Sequence, residues 1–411
     1  MMVACGGSDT QSAANGNTTL LANGEACAPA WNATTAYANP GTKVSRSGSN
    51  YTNNWWTQGD DPLTHSGAAG SGQPWLKGFT CGGTATTTTT KVGATTTTTK
   101  TTTTTTSAPP PPGGFVFSAY KDVTVSADWN IDQMRTAVTG STIPVTQAMS
   151  AKNKTLTWAF ATGECGSENW AGMAPAQFAS TNVPLFVNAG KNYIVSTGGA
   201  AGSFTCGSDS GFTTFLNRYN SARMIGVDFD IEAGQSQAVI DSIITRVKNA
   251  QGSHPNLRFS FTIATLAQNN GTSTATDLGS GSPDSLGSTG TLIMNRIKAL
   301  GLTNYYINLM VMDYGTGSGV CVMSGGTCEM GQSANQAALN LHGHWGVPYN
   351  RIELTPMNGT NDVAANVFSL ANAGTMDAFV KSKGLAGVHY WSLDRDPNLS
   401  FANKFIADLG L

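Results

Sequence analysis

An α/β fold, a (β/α)8 TIM barrel over residues 115–411, is predicted for the larger part of this chain from three observations. The stretch is about 300 residues long, within the usual size of such a barrel. Short β-branched or aromatic runs alternate with amphipathic stretches through eight rounds. Each run ends in Gly, Asp, Asn, Thr or Ser, residue types suited to the loops that carry chemistry at the C-terminal rim. Ahead of the barrel a small, β-rich module stapled by a disulfide is expected.

In chain order, residues 1–24 are polar and contain Met2-Val3-Ala4-Cys5-Gly6-Gly7. A cysteine after a small residue looks like the end of a bacterial lipoprotein signal, so Cys5 is either a candidate lipid anchor or a fortuitous match. Residues 25–82 have no helical period and carry six tryptophans and tyrosines, Trp31, Tyr37, Tyr51, Trp55, Trp56 and Trp75. So small a domain needs a staple, which Cys27 and Cys81 could supply, and its aromatics outnumber what its core can hide. Residues 83–114 combine threonine runs with Pro109-Pro110-Pro111-Pro112 and read as an extended linker. The candidate barrel strands are Phe115–Tyr120, Thr155–Ala161, Tyr193–Thr197, Met224–Ile231, Leu257–Ala264, Tyr305–Met312, Arg351–Pro356 and Ala386–Leu393. Between them lie apolar-periodic segments such as the one whose Val239, Ile240, Ile243, Ile244 and Val247 share a helical face.

Composition narrows the function classes. Charged residues are 11% of the chain, against roughly 25% in an average soluble domain, which suits an uncharged partner. The net charge of -2 offers no electrostatic case for nucleic acid or anionic membrane. No stretch approaches the ~20 continuous apolar residues of a membrane span. Six of the seven cysteines pair by proximity as Cys27/Cys81, Cys165/Cys206 and Cys321/Cys328, which points to an oxidising compartment. A secreted protein, or one lipid-anchored at the bacterial cell surface, is expected. It is read as a monomer with no protein partner in evidence. His342 and His344 lack a third ligand, so neither metal nor cofactor is expected.

The strongest chemical signal is Gly226-Val227-Asp228-Phe229-Asp230-Ile231-Glu232. Alternate residues of a strand share a face, so Asp228, Asp230 and Glu232 form an inward column climbing to the rim while Val227, Phe229 and Ile231 pack outward. Taken alone, the pattern could be a solvated edge strand or a calcium site, but its apolar residues need burial and no metal-loop glycine spacing is present. Stacked carboxylates cannot all ionise cheaply, so at least one keeps a proton near neutral pH. Glu232, nearest the rim, is placed to protonate a glycosidic oxygen, Asp230 to hold a substrate group, and Asp228 to share a proton or hydrogen bond with Asp230.

At these residues the chain resembles glycoside hydrolase family 18, whose fourth strand carries Asp-x-x-Asp-x-Asp-x-Glu; Ile225 stands at the first of these positions. Ser196-Thr197-Gly198-Gly199 is similar to the family's Ser-x-Gly-Gly signature, and Trp391 to the tryptophan flooring its -1 sugar site. The resemblance implies a chitinase acting on β-1,4-linked N-acetylglucosamine polymers and chitooligosaccharides, with retention of configuration. In it, the substrate's own acetamido oxygen attacks, Glu232 is the general acid and base, and Asp230 orients the acetamido group. Strand six departs from the family pattern: Met310-Val311-Met312-Asp313-Tyr314 puts Met312 where the family's tyrosine stands. Asp313 is carried over as a substrate-site residue, and either Tyr314 reaches the site from the rim or another donor replaces it.

The N-terminal module resembles chitin-binding modules of carbohydrate-binding families 5 and 12, through Cys27-Ala28-Pro29-Ala30-Trp31-Asn32, Tyr37, Val44, Tyr51 and Asn54-Trp55-Trp56-Thr57-Gln58-Gly59-Asp60. The resemblance makes Trp31, Trp55 and Trp56 candidate sugar-stacking residues. Two other functions stay open: a catalytically silent chitin-binding lectin or adhesin, and an endo-β-N-acetylglucosaminidase acting on N-glycan cores. The short Ile352–Val388 interval leaves little room for an inserted domain, so a shallow cleft and endo action are expected.

Overall fold

Eight of the sequence's β-rich runs become parallel strands in the computed structural model, which describes residues 27–38, 42–54, 56–67, 73–80, 114–232 and 234–411. The strands are β1 (Val116–Asp122), β2 (Thr155–Ala161), β3 (Asn192–Gly198), β4 (Met224–Asp230), β5 (Arg258–Ala264), β6 (Tyr306–Met310), β7 (Ile352–Thr355) and β8 (Gly387–Tyr390). Each pairs with its sequence neighbours and β8 pairs with β1, which closes the barrel. Closure leaves no unpaired edge to cover.

Helices follow seven of these strands: α1 (Pro175–Ala189), α2 (Asp209–Tyr219), α3 (Gln237–Ala250), α4 (Ser288–Leu300), α5 (Met330–Trp345), α6 (Leu370–Lys383) and α7 (Ser400–Leu409). The first crossover departs from the expected alternation and holds only one helical turn, Val145–Ala148, after a short ladder of Arg135–Thr136 with Ile143–Pro144. Pro144 fixes the entry to that turn, and the loop before it is rich in residues that favour bends.

The helices start and stop where local chemistry requires. Ser236 caps α3, its hydroxyl accepting from the Val239 amide, and Ile240, Ile243, Ile244 and Val247 are buried against the strands. Fully burying side chains of this size is worth about 1.5–3 kcal/mol each. Ser369 and Asn372 form a capping box on α6, which ends at Gly384 in the left-handed conformation.

The large apolar core lies between strands and helices, where Phe212 and Phe261 pack on Phe229. The barrel interior is mostly polar instead. At its N-terminal end Arg258 is paired with Glu353, donates to the carbonyls of Gly114 (3.0 Å) and Ala386 (3.2 Å), and lies 3.4 Å from the Tyr306 ring centroid. His389 sits 3.5 Å from the other Glu353 oxygen. Burial opposes ionisation of Glu353, but the charges of Arg258 and His389 prevail and hold its carboxyl down at about 2. Arg258→Met strands that carboxylate and should cost roughly 3–5 kcal/mol of stability, read as a lowered midpoint of chemical denaturation. A midpoint within error of wild type would refute this account of the barrel floor.

Disulfides Cys165–Cys206 and Cys321–Cys328 form as the spacing predicted. The first joins the loops after β2 and β3 beside the ladder of Gly163–Glu164 with Phe204–Thr205. Cys27 is also disulfide-bonded. Cys81, its expected partner, lies outside the described residues, as do Cys5 and Trp55. No helix among the described residues is long and apolar enough to cross a membrane.

The chain divides into two compact units, Met1–Thr102 and Thr103–Leu411. The first carries a four-stranded sheet in the order Lys43–Arg46, Ser49–Asn53, Trp75–Thr80, Ser66–Gly67. Ser47 and Gly48, both at positive φ, make the two-residue hairpin that pairs Arg46 with Ser49. Tyr37, Val44, Tyr51 and Trp75 form its small core.

Candidate active site

The register of the barrel builds the site. Ser196, Asp228 and Ser260 are direct neighbours across β3, β4 and β5, and one step nearer the rim Asp230 stands beside Thr262. Asp228, 2% exposed, accepts four hydrogen bonds, from Ser196 (2.6 Å), Ser260 (2.6 Å), Thr262 (2.7 Å) and Tyr120 (2.9 Å). The network continues outward, because Asn308 donates to Tyr120 and Thr262 (both 2.9 Å) and accepts from Thr355 (2.7 Å). Burial pushes the Asp228 carboxyl up while the four hydroxyls pull it down. The shared proton or hydrogen bond expected between Asp228 and Asp230 is absent, since hydroxyls occupy both Asp228 oxygens. Asp228 acts on Asp230 through its charge.

Asp230 is 4% exposed and its Oδ1 has no hydrogen-bond partner. Burial first, then the charges of Asp228 and Glu232, hold its carboxyl well above the usual carboxylate range. Glu232 lies two residues past the end of β4, half-buried, and its carboxyl is raised by burial and by the negative charge of Asp313. Asp313 follows β6 with a left-handed φ of 50°, and the loop after β7 holds it. Its amide donates to Asn361 (3.2 Å), and its Oδ1 accepts from the Val363 amide (2.7 Å).

The paired glycines have a steric role. A Cβ on Gly198 would stand 2.1 Å from the Asp230 carbonyl oxygen, and one on Gly199 would stand 2.6 Å from the Phe160 ring. Only glycine lets the end of β3 lie against the acidic strand. Phe160 in turn stacks on Trp391, centroids 5.6 Å apart and planes 14° from parallel. Just beyond Trp391, Asp394 is ion-paired at 2.7 Å with the buried Lys121 of β1, which ties that loop to the barrel.

These groups line a hollow of about 360 Å³ that holds Asp230, Glu232, Asp313 and Trp391 together with Tyr120, Phe160, Met310 and Met312. Tyr314 is placed elsewhere: it is 3% exposed, packs in the apolar core, and its hydroxyl has no hydrogen-bond partner. The chain has left β6 at Met310 and turned at Asp313, so residue 314 faces inward and Met312 takes the place on the cleft wall. Sequence reasoning missed Tyr120, Phe160 and the hydroxyl box; the available signal was the polar alternation within apolar strands, as in Ser260-Phe261-Thr262.

His342 and His344 close α5 as a loop-end pair, their Nδ1 atoms against the carbonyls of Val347 (2.8 Å) and Ser282 (3.0 Å). In the N-terminal unit, Trp31 is half-buried on the core with the Arg46 guanidinium 5.0 Å from its ring centroid, so that face is covered. Trp56 is 57% exposed.

Acidic column, raised inner carboxyls and aromatic cleft define the class of site: a candidate proton donor beside a surface suited to a neutral ring. No family model matches the chain. Over 123 residues it is 31% identical to a "Probable bifunctional chitinase/lysozyme" of Escherichia coli (strain K12), across 28% of this chain and 14% of that protein. The chain thus matches only about one seventh of that relative's length. Among solved structures it is similar to the catalytic domain of a hyperthermophilic chitinase from Pyrococcus furiosus, with a TM-score of 0.54 and 22% identity over 74% of this chain and 97% of that one. Catalytic-site mutants of active domain 2 of a thermostable chitinase from the same organism, complexed with chito-oligosaccharides, match with the same score, identity and coverage. At this identity the likeness shows the fold, a (β/α)8 barrel.

Proposed function

We propose that the chain is a chitinase that hydrolyses β-1,4-linked N-acetylglucosamine polymers with retention of configuration. The observation that carries this reading is the carboxylate column, with the buried Asp230 one step below Glu232 in a cleft walled by Trp391. Function is argued from these side chains, because a barrel by itself hosts many chemistries.

A ring stacked on Trp391 brings its acetamido group down to Asp230, whose unpaired Oδ1 accepts the acetamido N–H. The acetamido oxygen forms a bond to the anomeric carbon as the glycosidic C–O bond breaks, and the proton of Glu232 passes to the departing oxygen. Glu232 then takes a proton from water, which attacks the anomeric carbon and reopens the cyclic intermediate. The protein supplies no nucleophile. Open lobes on both sides of Glu232 favour endo action. Trp56, exposed on the N-terminal unit, is assigned to grip insoluble chitin, and the chain is read as exported.

The test is reducing-sugar release from colloidal chitin, with binding measured by co-sedimentation. Release supports the reading; binding without release would make the protein a chitin lectin or adhesin. The pH profile probes the pairing of Glu232 with Asp313. Glu232 must be protonated to act, so activity falls as pH rises through its pKa. Asp313→Asn keeps the acceptor for the Val363 amide but removes the charge that raises Glu232. The alkaline limb of kcat/KM should therefore move to lower pH, and an unmoved limb would show that Asp313 does not tune the acid.

A further inference from the structure

The cleft has a second lobe that meets the first at Glu232 and Ala200, which line both. The first lobe is lined by the aromatics Tyr120, Phe160 and Trp391. The second, about 580 Å³, is walled by Gly199, Ala201, Gly202, Ser203 and Gln235 and has no aromatic among the described residues of its lining. Packing behind the wall keeps it small: a Cβ on Gly199 would stand 2.6 Å from the Phe160 ring, and one on Gly202 would stand 2.7 Å from Cγ2 of Thr162. Gln235 is half-buried beside this space, and its Oε1 is shielded from solvent with no hydrogen-bond partner. The adjacent N-terminus of α3 does not use it, because Ser236 supplies the cap. A shielded, unpaired amide oxygen at the edge of an open lobe is an acceptor that lacks its donor.

We propose that this second lobe receives the leaving-group sugar and that Gln235 determines its affinity, by a hydrogen bond from a sugar hydroxyl or acetamido N–H to the carboxamide. This rests on the chitinase reading and adds where the chain lies: the glycosyl unit in the aromatic lobe, the scissile oxygen at Glu232, the departing unit in the polar lobe. As the C–O bond breaks, the oxygen takes the proton of Glu232 and the departing sugar leaves with a free hydroxyl. Recognition on this side is by hydrogen bonding rather than by stacking.

Two substrates with the same glycosyl part separate the possibilities. 4-Nitrophenyl chitobioside has a leaving group that cannot donate to Gln235, whereas chitotetraose has a sugar there. Gln235→Met keeps the bulk of the side chain and removes the amide. The expected result is an aryl-glycoside kcat/KM within about twofold of wild type and a loss of roughly tenfold or more on chitotetraose, the size of one hydrogen bond. Equal losses on both substrates would mean that Gln235 acts on the fold; a displaced alkaline limb of the pH profile on chitotetraose would mean that it acts through Glu232, whose proton a 4-nitrophenolate leaving group hardly needs; and no loss on chitotetraose would mean that the lobe is not used; each overturns the proposal. Wild-type protein inactive on both substrates would instead sink the chitinase reading, and the proposal with it.

Discussion

Glu232→Gln is expected to reduce hydrolysis of colloidal chitin by about 10³-fold or more while leaving fold and chitin adhesion intact, since a positioned acid typically contributes 10²–10⁴-fold. The carboxamide matches the carboxyl in shape but has no acidic proton to give to the glycosidic oxygen. The variant should stay folded, because Glu232 lies beyond the end of β4, half-buried, and no hydrogen bond ties its carboxyl to the described residues. Its neighbour Asp230 loses only the influence of the Glu232 charge. Reducing-sugar release and the thermal midpoint, measured together, check both halves. A variant that keeps a tenth or more of wild-type activity would remove Glu232 from the acid role.

Asp230→Ala carries the second largest effect, about 10²–10³-fold in kcat, the range for deleting one preorganised electrostatic partner. The acetamido group becomes positively charged as its oxygen bonds to the anomeric carbon, and a carboxyl beneath it can answer that charge as it develops. Burial and the charges of Asp228 and Glu232 raise the Asp230 carboxyl, so a positive charge developing beside it offsets the repulsion that its acidic neighbours impose. The loss should fall on kcat more than on KM, since the interaction strengthens in the transition state. Stability should move the other way or not at all. The residue sits buried with an unpaired oxygen beside two acidic neighbours, and alanine relieves that arrangement. An unchanged kcat would refute the electrostatic role, and a thermal midpoint well below wild type would refute the view of Asp230 as a strained position.

What the amino-acid order determines by itself is whatever depends on local periodicity and local chemistry. The eight barrel strands fall within one to three residues of their expected positions, because β-branched and aromatic runs bounded by turn residues fit a pleated, buried element wherever it is placed. The acidic column is equally local: residues two apart share a face of any strand, so Asp228 and Asp230 are bound to point the same way. The disulfides Cys165–Cys206 and Cys321–Cys328 follow from nearness within successive loops.

Only the tertiary structure decides what meets across strands. The hydroxyl box around Asp228 draws on β1, β3 and β5, and whether Tyr120 or Ser196 reaches it depends on the stagger of a closed barrel, a property of no single segment. Phe160 finds Trp391 only when β1, between their strands, brings the first and last parts of the barrel together. Tyr314 was open to either side of the wall until the left-handed turn at Asp313 sent it into the core. The second lobe beside Gln235 is a space between two loops. A sequence records which side chains are present, but an empty volume and an unpaired acceptor exist only once the backbone has fixed the distances around them.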